Sequence, residues 1–385
     1  MTAAGRFCFA ESCHWMGARL KPMETSSPER TSSRGASASD SRVSPERGLV
    51  VERRIRPVFV IGCHRSGTNL LYDTLLSAGG FAVYRGYLPV YKMLIPRFGN
   101  LANRDNRKRM VQAWVRSEGF RRSGLNAAEL TTKVLDQCSN GGDFIRIVMS
   151  EIARGQNVAR WVLYDPDNLL YIPAIKADIP EALFIHIIRD GRDVALSLTK
   201  MGGFKPFPWN RHAKGLLPTA LYWEWMVRKG RQNGLRIPSD YFEARYEELV
   251  SEPRAALTKL AEFLDHDLDY DCIRKASLGR VRAPNSSFLD ETDRHSPVNR
   301  WSEKLSSREV ASVEAMIGDC LEELGFSLTS PAKLKESGLQ EKCMRASYFK
   351  LLNAKFWLKT RTPVGRFANL GALELSDDIE STEAE

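Results

Sequence analysis

The stretch Val58-Phe59-Val60-Ile61-Gly62-Cys63-His64-Arg65-Ser66-Gly67-Thr68-Asn69-Leu70-Leu71 decides the fold. Val58 to Ile61 is a short, β-favouring apolar run that stops at a glycine. From Thr68 the pattern changes, with Leu70, Leu71, Thr74 and Leu75 falling on one face of a helix. A strand that enters a glycine-containing loop and leaves as a helix aims backbone N–H groups at an anion, and the helix N-terminus adds partial positive charge. Arg65 adds a full charge, and Ser66 and Thr68 add hydroxyl donors.

Working outward, the same alternation recurs. Val158–Tyr164 is a second strand, stopped by Asp165-Pro166, and Ala182–Ile188 is a third. The unbroken apolar run of the third strand fits burial on both faces, as in a parallel sheet. A helix follows over Asp193–Thr199. Repeated strand–loop–helix units predict an α/β fold in three layers, α/β/α, around a central parallel sheet. Residues 97–156 read as amphipathic helices and predict a helical insertion over the sheet edge. Arg189 sits at the carboxyl end of the third strand, where open α/β sheets bind ligands. Ser197 follows about two helical turns later, so the pair is able to clamp one phosphate. The competing reading is an Arg189–Asp193 surface ion pair with Ser197 merely exposed.

Composition sets the wider bounds. The 385 residues are 43% apolar and 27% charged, a globular mix that excludes a disordered, collagen-like or coiled-coil chain. Seven scattered cysteines without a CxxC pair argue against a disulfide framework or zinc ribbon. The histidines form no metal-ligand cluster, so no metal is expected. Net charge is +9, and without the six acids of the tail Glu374–Glu385 it rises to +15, which favours an anionic partner. The Ser/Arg/Pro-rich start predicts a disordered arm over residues 1–55, and the main domain is expected over 56–330, a helical extension over 331–373 and an acidic tail over 374–385. No segment reaches the ~18 apolar residues of a membrane span, and no signal-peptide core is present, so a cytoplasmic location is expected. Residues 341–359 form a basic amphipathic helix for which weak membrane-surface contact is open, packing on the body being the stronger expectation.

Gly62 and Gly67 have the spacing of a Walker A loop, but Thr68 follows Gly67 directly and the lysine is missing. That argues against a P-loop nucleotide kinase, which also needs a magnesium carboxylate. The loop RSGT with the later RDGRDVALS instead resembles the nucleotide-dependent sulfotransferases, closest to the broad bacterial and tyrosylprotein types, over residues 56–328. Those are P-loop-like α/β enzymes using 3′-phosphoadenosine-5′-phosphosulfate (PAPS). The resemblance implies that Arg65, Ser66, Gly67, Thr68 and Asn69 bind the 5′ phosphosulfate, and that Arg189 and Ser197 bind the 3′ phosphate. Tyr246-Glu247-Glu248-Leu249 resembles the family's YExL segment, which puts Tyr246 near the nucleotide. Asn285-Ser286-Ser287 and Asn299-Arg300-Trp301 resemble its late closing loop, adding Ser286 and Arg300. The implied activity is sulfuryl transfer from PAPS to a hydroxyl or amine of an unidentified acceptor. A catalytically weak PAPS-binding protein is the non-enzymatic alternative.

In-line sulfuryl transfer needs a cation at the bridging oxygen and a base for the acceptor proton. Arg65 fits the first role. Tyrosylprotein sulfotransferases carry a Glu after the first helix, where this chain reads Ala82-Val83-Tyr84-Arg85. They carry Lys-Asp-Pro at the end of the second strand, where this chain has Tyr164-Asp165-Pro166. Asp165 is therefore the expected base, with a turn cap as the bland alternative, and His64 in the loop is second. The acceptor pocket is expected between the insertion and the loop Gly202–Trp209.

Overall fold

Side chains alternate along a strand, and in β1 (Val58–Gly62) that alternation feeds two cores. The computed structural model describes residues 52–201, 215–281, 298–329 and 339–367. Phe59 and Ile61 join one apolar cluster with Trp161, Phe184 and Ile188. Val58 and Val60 join the other with Val162, Ile185 and Ile187. β1 runs into α1 (Thr68–Ala78), then β2 (Phe81–Ala82). After the insertion come β3 (Arg160–Tyr164), α7 (Ile172–Asp178), β4 (Leu183–Ile188), α8 (Gly191–Lys200), α9 (Leu216–Gly234) and β5 (Tyr241–Arg245). The five strands form one parallel sheet in the order β2-β3-β1-β4-β5. The order reverses at β1, and sheets of this kind bind ligands beside the carboxyl end of the strand at which the order reverses.

The insertion folds as α2 (Ile95–Phe98), α3 (Arg104–Trp114), α4 (Glu118–Ser123), α5 (Ala127–Gln137) and α6 (Gly141–Gly155). Asn103, Asn126 and Asn140 each accept first-turn N–H groups of the helix they start, which explains where the long amphipathic run is cut. A π-helical turn, Val90–Leu94, precedes it, so helical backbone begins before residue 97. The rest is α10 (Tyr246–Ser251), α11 (Pro253–Leu264), α12 (Tyr270–Ala276), α13 (Arg300–Lys304), α14 (Ser307–Glu323) and α15 (Leu339–Arg361). α1, α10, α11 and α12 cover one sheet face, while α6 to α9, α14 and the insertion cover the other. The expected three layers are present.

Two boundaries differ from expectation. The second strand starts at Arg160 rather than Val158 because Asn157 turns the chain at φ +58° and the Val158 N–H donates back to the Ala153 carbonyl of α6 at 3.0 Å, which uses the residue to end the helix. The body starts before residue 56: the Arg53 guanidinium lies 4.6 Å over the Phe263 ring and donates to the Ser239 carbonyl at 2.7 Å. α15 packs on the body, the stronger of the two expectations: Leu352 is buried and Trp225 of α9 donates to Asn353 at 3.1 Å. The acidic tail and the first fifty-one residues lie outside the described residues. Among the described residues, no helix is long and apolar enough to cross a membrane.

His186, fully buried in β4, sets an acid limit on the fold. Its Nδ1 lies 2.6 Å from the Tyr241 hydroxyl, which donates to Glu243 at 3.2 Å. The tautomer that satisfies both is Nδ1–H, leaving Nε2 buried with no hydrogen-bond partner among the described residues. Burial, aided by Arg231, pushes its pKa down to about 3. The unfolded chain titrates near 6.5, so this stabilisation is complete above about pH 6.5 and is lost as pH falls toward 3. Urea midpoints at about pH 7 and about pH 4 should differ less in His186→Gln than in the parent; an equal loss in both assigns the acid sensitivity to other groups.

Candidate functional site

β1 ends at Gly62 for a steric reason. A Cβ there would sit 2.7 Å from the Ile187 carbonyl oxygen of β4. The chain then doubles back, with the Ser66 N–H donating to the Cys63 carbonyl at 3.1 Å. Arg65 and Gly67 hold φ at +70° and +92°, in the left-handed region that costs an L-residue about 1–2 kcal/mol. Successive turns of this kind make a concave row of N–H groups that suits an anion. Gly67 caps α1, and a Cβ on it would meet the Tyr246 ring at 2.4 Å. The Ser66 hydroxyl is buried and has no hydrogen-bond partner among the described residues. An unsatisfied buried hydroxyl costs about 1–3 kcal/mol, a cost that a bound anion removes.

The segment that carries Arg189 and Ser197 meets this loop. Arg65 Nε donates to the Ser197 hydroxyl at 2.8 Å, and Arg189 Nη1 donates to the Arg65 carbonyl at 3.2 Å. The Arg189 guanidinium lies 4.4 Å over the Tyr246 ring and 3.4 Å from Asp193. This ion pair is buried, not the surface pair weighed from sequence. Asp193 also accepts the Trp301 N–H at 2.9 Å, tying α13 and Arg300 to α8. Arg300 Nε is buried without a hydrogen-bond partner among the described residues. Behind them Arg192 is enclosed by Asp190 at 2.7 Å, Glu314 at 2.6 Å and the Trp301 ring at 3.7 Å. The Asp190 N–H in turn donates to Glu247 of α10 at 2.9 Å. Burial raises the pKa of Glu247 and of Asp193, the latter against the pull of Arg189.

On the other side of the loop lies a cluster that the sequence reading only half found. His64 Nε2 is 3.4 Å from Asp167 Oδ1, and the Lys92 ammonium pairs with Asp167 Oδ2. Burial works to raise the Asp167 pKa, but Lys92 and His64 override it and hold the carboxyl well below its usual range. Asp165 is different. Its Oδ1 accepts the Asp167 N–H at 3.0 Å and caps the 3-10 turn Pro166–Leu170. Asp165 is only 4% exposed, and burial raises its pKa despite Lys92. Tyr87 and Tyr171 close the cluster, both with pKa values raised by burial. Lys359 of α15 is near enough to feel Lys92 and Asp167, and its own pKa is lowered by burial.

The family model for the sulfotransferase family matches residues 57–270, more than half of the chain. The chain belongs to the sulfotransferase family. Putative protein-tyrosine sulfotransferases of Caenorhabditis elegans and Caenorhabditis briggsae are 25% and 24% identical over 166 and 217 residues, 42% and 54% of this chain. These matches cover 59% and 65% of the relatives, so the chain spans about three-fifths of their length. Solved structures that overlap it include the sulfotransferase domain from the curacin biosynthetic pathway, with a TM-score of 0.42, 14% identity and coverage of 71% of this chain and 98% of that one. Sulfotransferase STF9 from Mycobacterium avium overlaps with a TM-score of 0.40, 16% identity and coverage of 71% and 78%.

In this family member the fold gathers Arg65, Ser66, Gly67, Thr68, Arg189, Ser197 and Tyr246 at the carboxyl ends of β1 and β4, with Arg300 tied to them through Trp301 and Asp193. Asn69 occupies the first turn of α1. Ser286 and the loop Gly202–Trp209 lie outside the described residues. Asp165 occupies the expected strand end, but as a buried cap rather than a projecting carboxylate. Lys92 and Asp167 were missed. Asp167 stands one residue past Asp165-Pro166, so a second acid beside the first was a usable signal; Lys92 belongs to no motif. Gly67→Ala should destabilise the protein by about 1–3 kcal/mol, because it forces an L-residue to positive φ against Tyr246. Equilibrium urea denaturation measures this, and a parent-like midpoint would mean that the loop relaxes without cost.

Proposed function

We propose that this sulfotransferase moves the sulfuryl group of PAPS to a hydroxyl or amine of its acceptor. The observation that carries the reading is the junction of two anion-binding segments, Arg65 on Ser197 and Arg189 on the Arg65 carbonyl. The loop Arg65–Asn69 holds the 5′ phosphosulfate. Arg189 and Ser197, with Arg300, hold the 3′ phosphate, and Tyr246 packs beside it. The unsatisfied Ser66 hydroxyl and Arg300 Nε fit the same ligand. In the reaction the acceptor oxygen or nitrogen bonds to sulfur while the bond from sulfur to the phosphate oxygen breaks. Adenosine 3′,5′-bisphosphate leaves, and Arg65 offsets the charge gathering on its bridging oxygen.

The base assignment moves from Asp165 to His64. His64 retains 25% of its side-chain exposure, whereas Asp165 is buried and already caps a turn. Asp167 beside Nε2 orients the ring and stabilises the charge it gains, leaving Nδ1 for the acceptor's proton. Lys92 supplies a cation where Tyr164 replaces the family's lysine.

Calorimetry with adenosine 3′,5′-bisphosphate and adenosine 5′-monophosphate tests the donor site. The 3′-phosphorylated nucleotide should bind more tightly, and Arg189→Ala should remove roughly 1.5–3 kcal/mol of that preference. Tighter, magnesium-dependent binding of ATP would favour a kinase. The base is tested with labelled PAPS and the first acceptor that a screen identifies. His64→Gln should lower turnover by about two to four orders of magnitude with nucleotide affinity near parent, and Asp165→Asn should lower it far less. The reverse order returns the base to Asp165.

A further inference from the structure

The exposed apolar surface of this protein is concentrated at one place. Among the described residues ten large apolar side chains are exposed, and six of them fall between Met344 and Phe367. The two faces of α15 differ sharply. Toward the body, Leu352 is buried, Phe356 lies 5.4 Å from the Tyr171 ring, and Arg345 Nε donates to Glu224 at 2.8 Å. Away from it, Met344, Leu351 and Leu358 recur every seven residues, so they share one stripe. Lys350 and Trp357 form a parallel stripe with the same spacing, and Trp357 is 57% exposed. The 3-10 turn Pro363–Phe367 follows α15 directly and exposes Val364 and Phe367, the latter by 82%.

Charge complementarity identifies what covers this face. From Lys342 to Phe367 the chain carries seven bases and no acid. Lys350, Arg361 and Arg366 are exposed beside the apolar side chains. Leucine, tryptophan and phenylalanine interleaved with lysine and arginine suit the boundary between acyl chains and anionic headgroups, where the rings and apolar tips bury and the cations pair with phosphate. We propose that α15 and the following turn seat the protein on an anionic lipid surface. A helix is about 10–12 Å across, and its opposite face carries Lys359 beside the Lys92–Asp167 cluster. Seating therefore brings the acceptor side of the crevice to within about a helix's width of the headgroups. The inference does not depend on which donor or acceptor the enzyme uses.

The test is co-sedimentation of the full chain with phosphatidylcholine vesicles and with vesicles containing phosphatidylserine, at low and high salt. The parent should pellet with the anionic vesicles, weakly with the neutral ones, and less as salt rises. Lys350→Glu with Arg361→Glu should lower partitioning by about tenfold or more. Leu351→Ser with Trp357→Ser should do the same while removing no charge. Near-ultraviolet circular dichroism establishes that each variant is folded. A folded parent that stays soluble with both vesicle types overturns the proposal and leaves the acidic stretch Glu374–Glu385 as the candidate cover. Equal binding of parent and variants also overturns it. So does a doubling of mass in the parent, lost in Leu351→Ser/Trp357→Ser, which assigns the face to a second copy of the chain.

Discussion

The parallel register of β1 against β4 is the constraint on which the rest of the site depends. It sets Gly62 opposite Ile187, so the loop that carries Arg65 and the segment that carries Arg189 leave the sheet side by side. The approach is close enough that no side chain fits at Gly62. The Arg65 to Ser197 hydrogen bond then closes a link between residues 132 apart in sequence. Because backbone hydrogen bonds fix this register along the whole of β1, the two cations come to the crevice already oriented. Little ordering entropy is left for the binding step to supply.

Cations gathered this closely repel one another. The fold answers with buried acids placed behind them. Asp193 faces Arg189, while Asp190 and Glu314 enclose Arg192. A buried ion pair is costly to desolvate and is a weak argument for stability, but removing one partner strands the other, at about 3–5 kcal/mol. Here the pairs act on geometry. Asp193 also holds the Trp301 N–H, and Asp190 is held by Glu247. α8, α10 and α13 are thereby locked around the strand end that carries Arg189.

The cluster of His64, Lys92, Asp165 and Asp167 follows a different electrostatic logic. Two neighbouring carboxyls, Asp165 and Asp167, are driven in opposite directions, one up by burial and one down by Lys92 and His64. The proton-poor member sits against the imidazole, and the other is spent on a turn cap. The π-helical turn carrying Lys92 fits the tendency of such turns to mark functional sites.

The strand, loop and helix of Val58–Ala78 were legible because each signal is local: apolar alternation, a glycine and a helical face all lie within one contiguous stretch. The same holds for Arg189 and Ser197, whose spacing on a strand tip and its outgoing helix is set by backbone geometry. Locality also explains the failures. An amphipathic pattern over 341–359 announces a helix with two faces but not which neighbour takes one and leaves the other bare. Asp165 at a strand end is equally compatible with a base and with a cap until the position of the Asp167 N–H is known. Lys92 reaches Asp167 only because the π-helical turn before the insertion packs against the 3-10 turn after β3. The sequence by itself determined the three central strands β1, β3 and β4, the helices that follow β1 and β4, and the two cation-bearing segments between them, while β2 and β5 went unread because each is too short or too polar to show a strand pattern. The tertiary structure alone decided which distant charges pair, because pairing depends on register and packing between segments rather than on the conformation within any one of them.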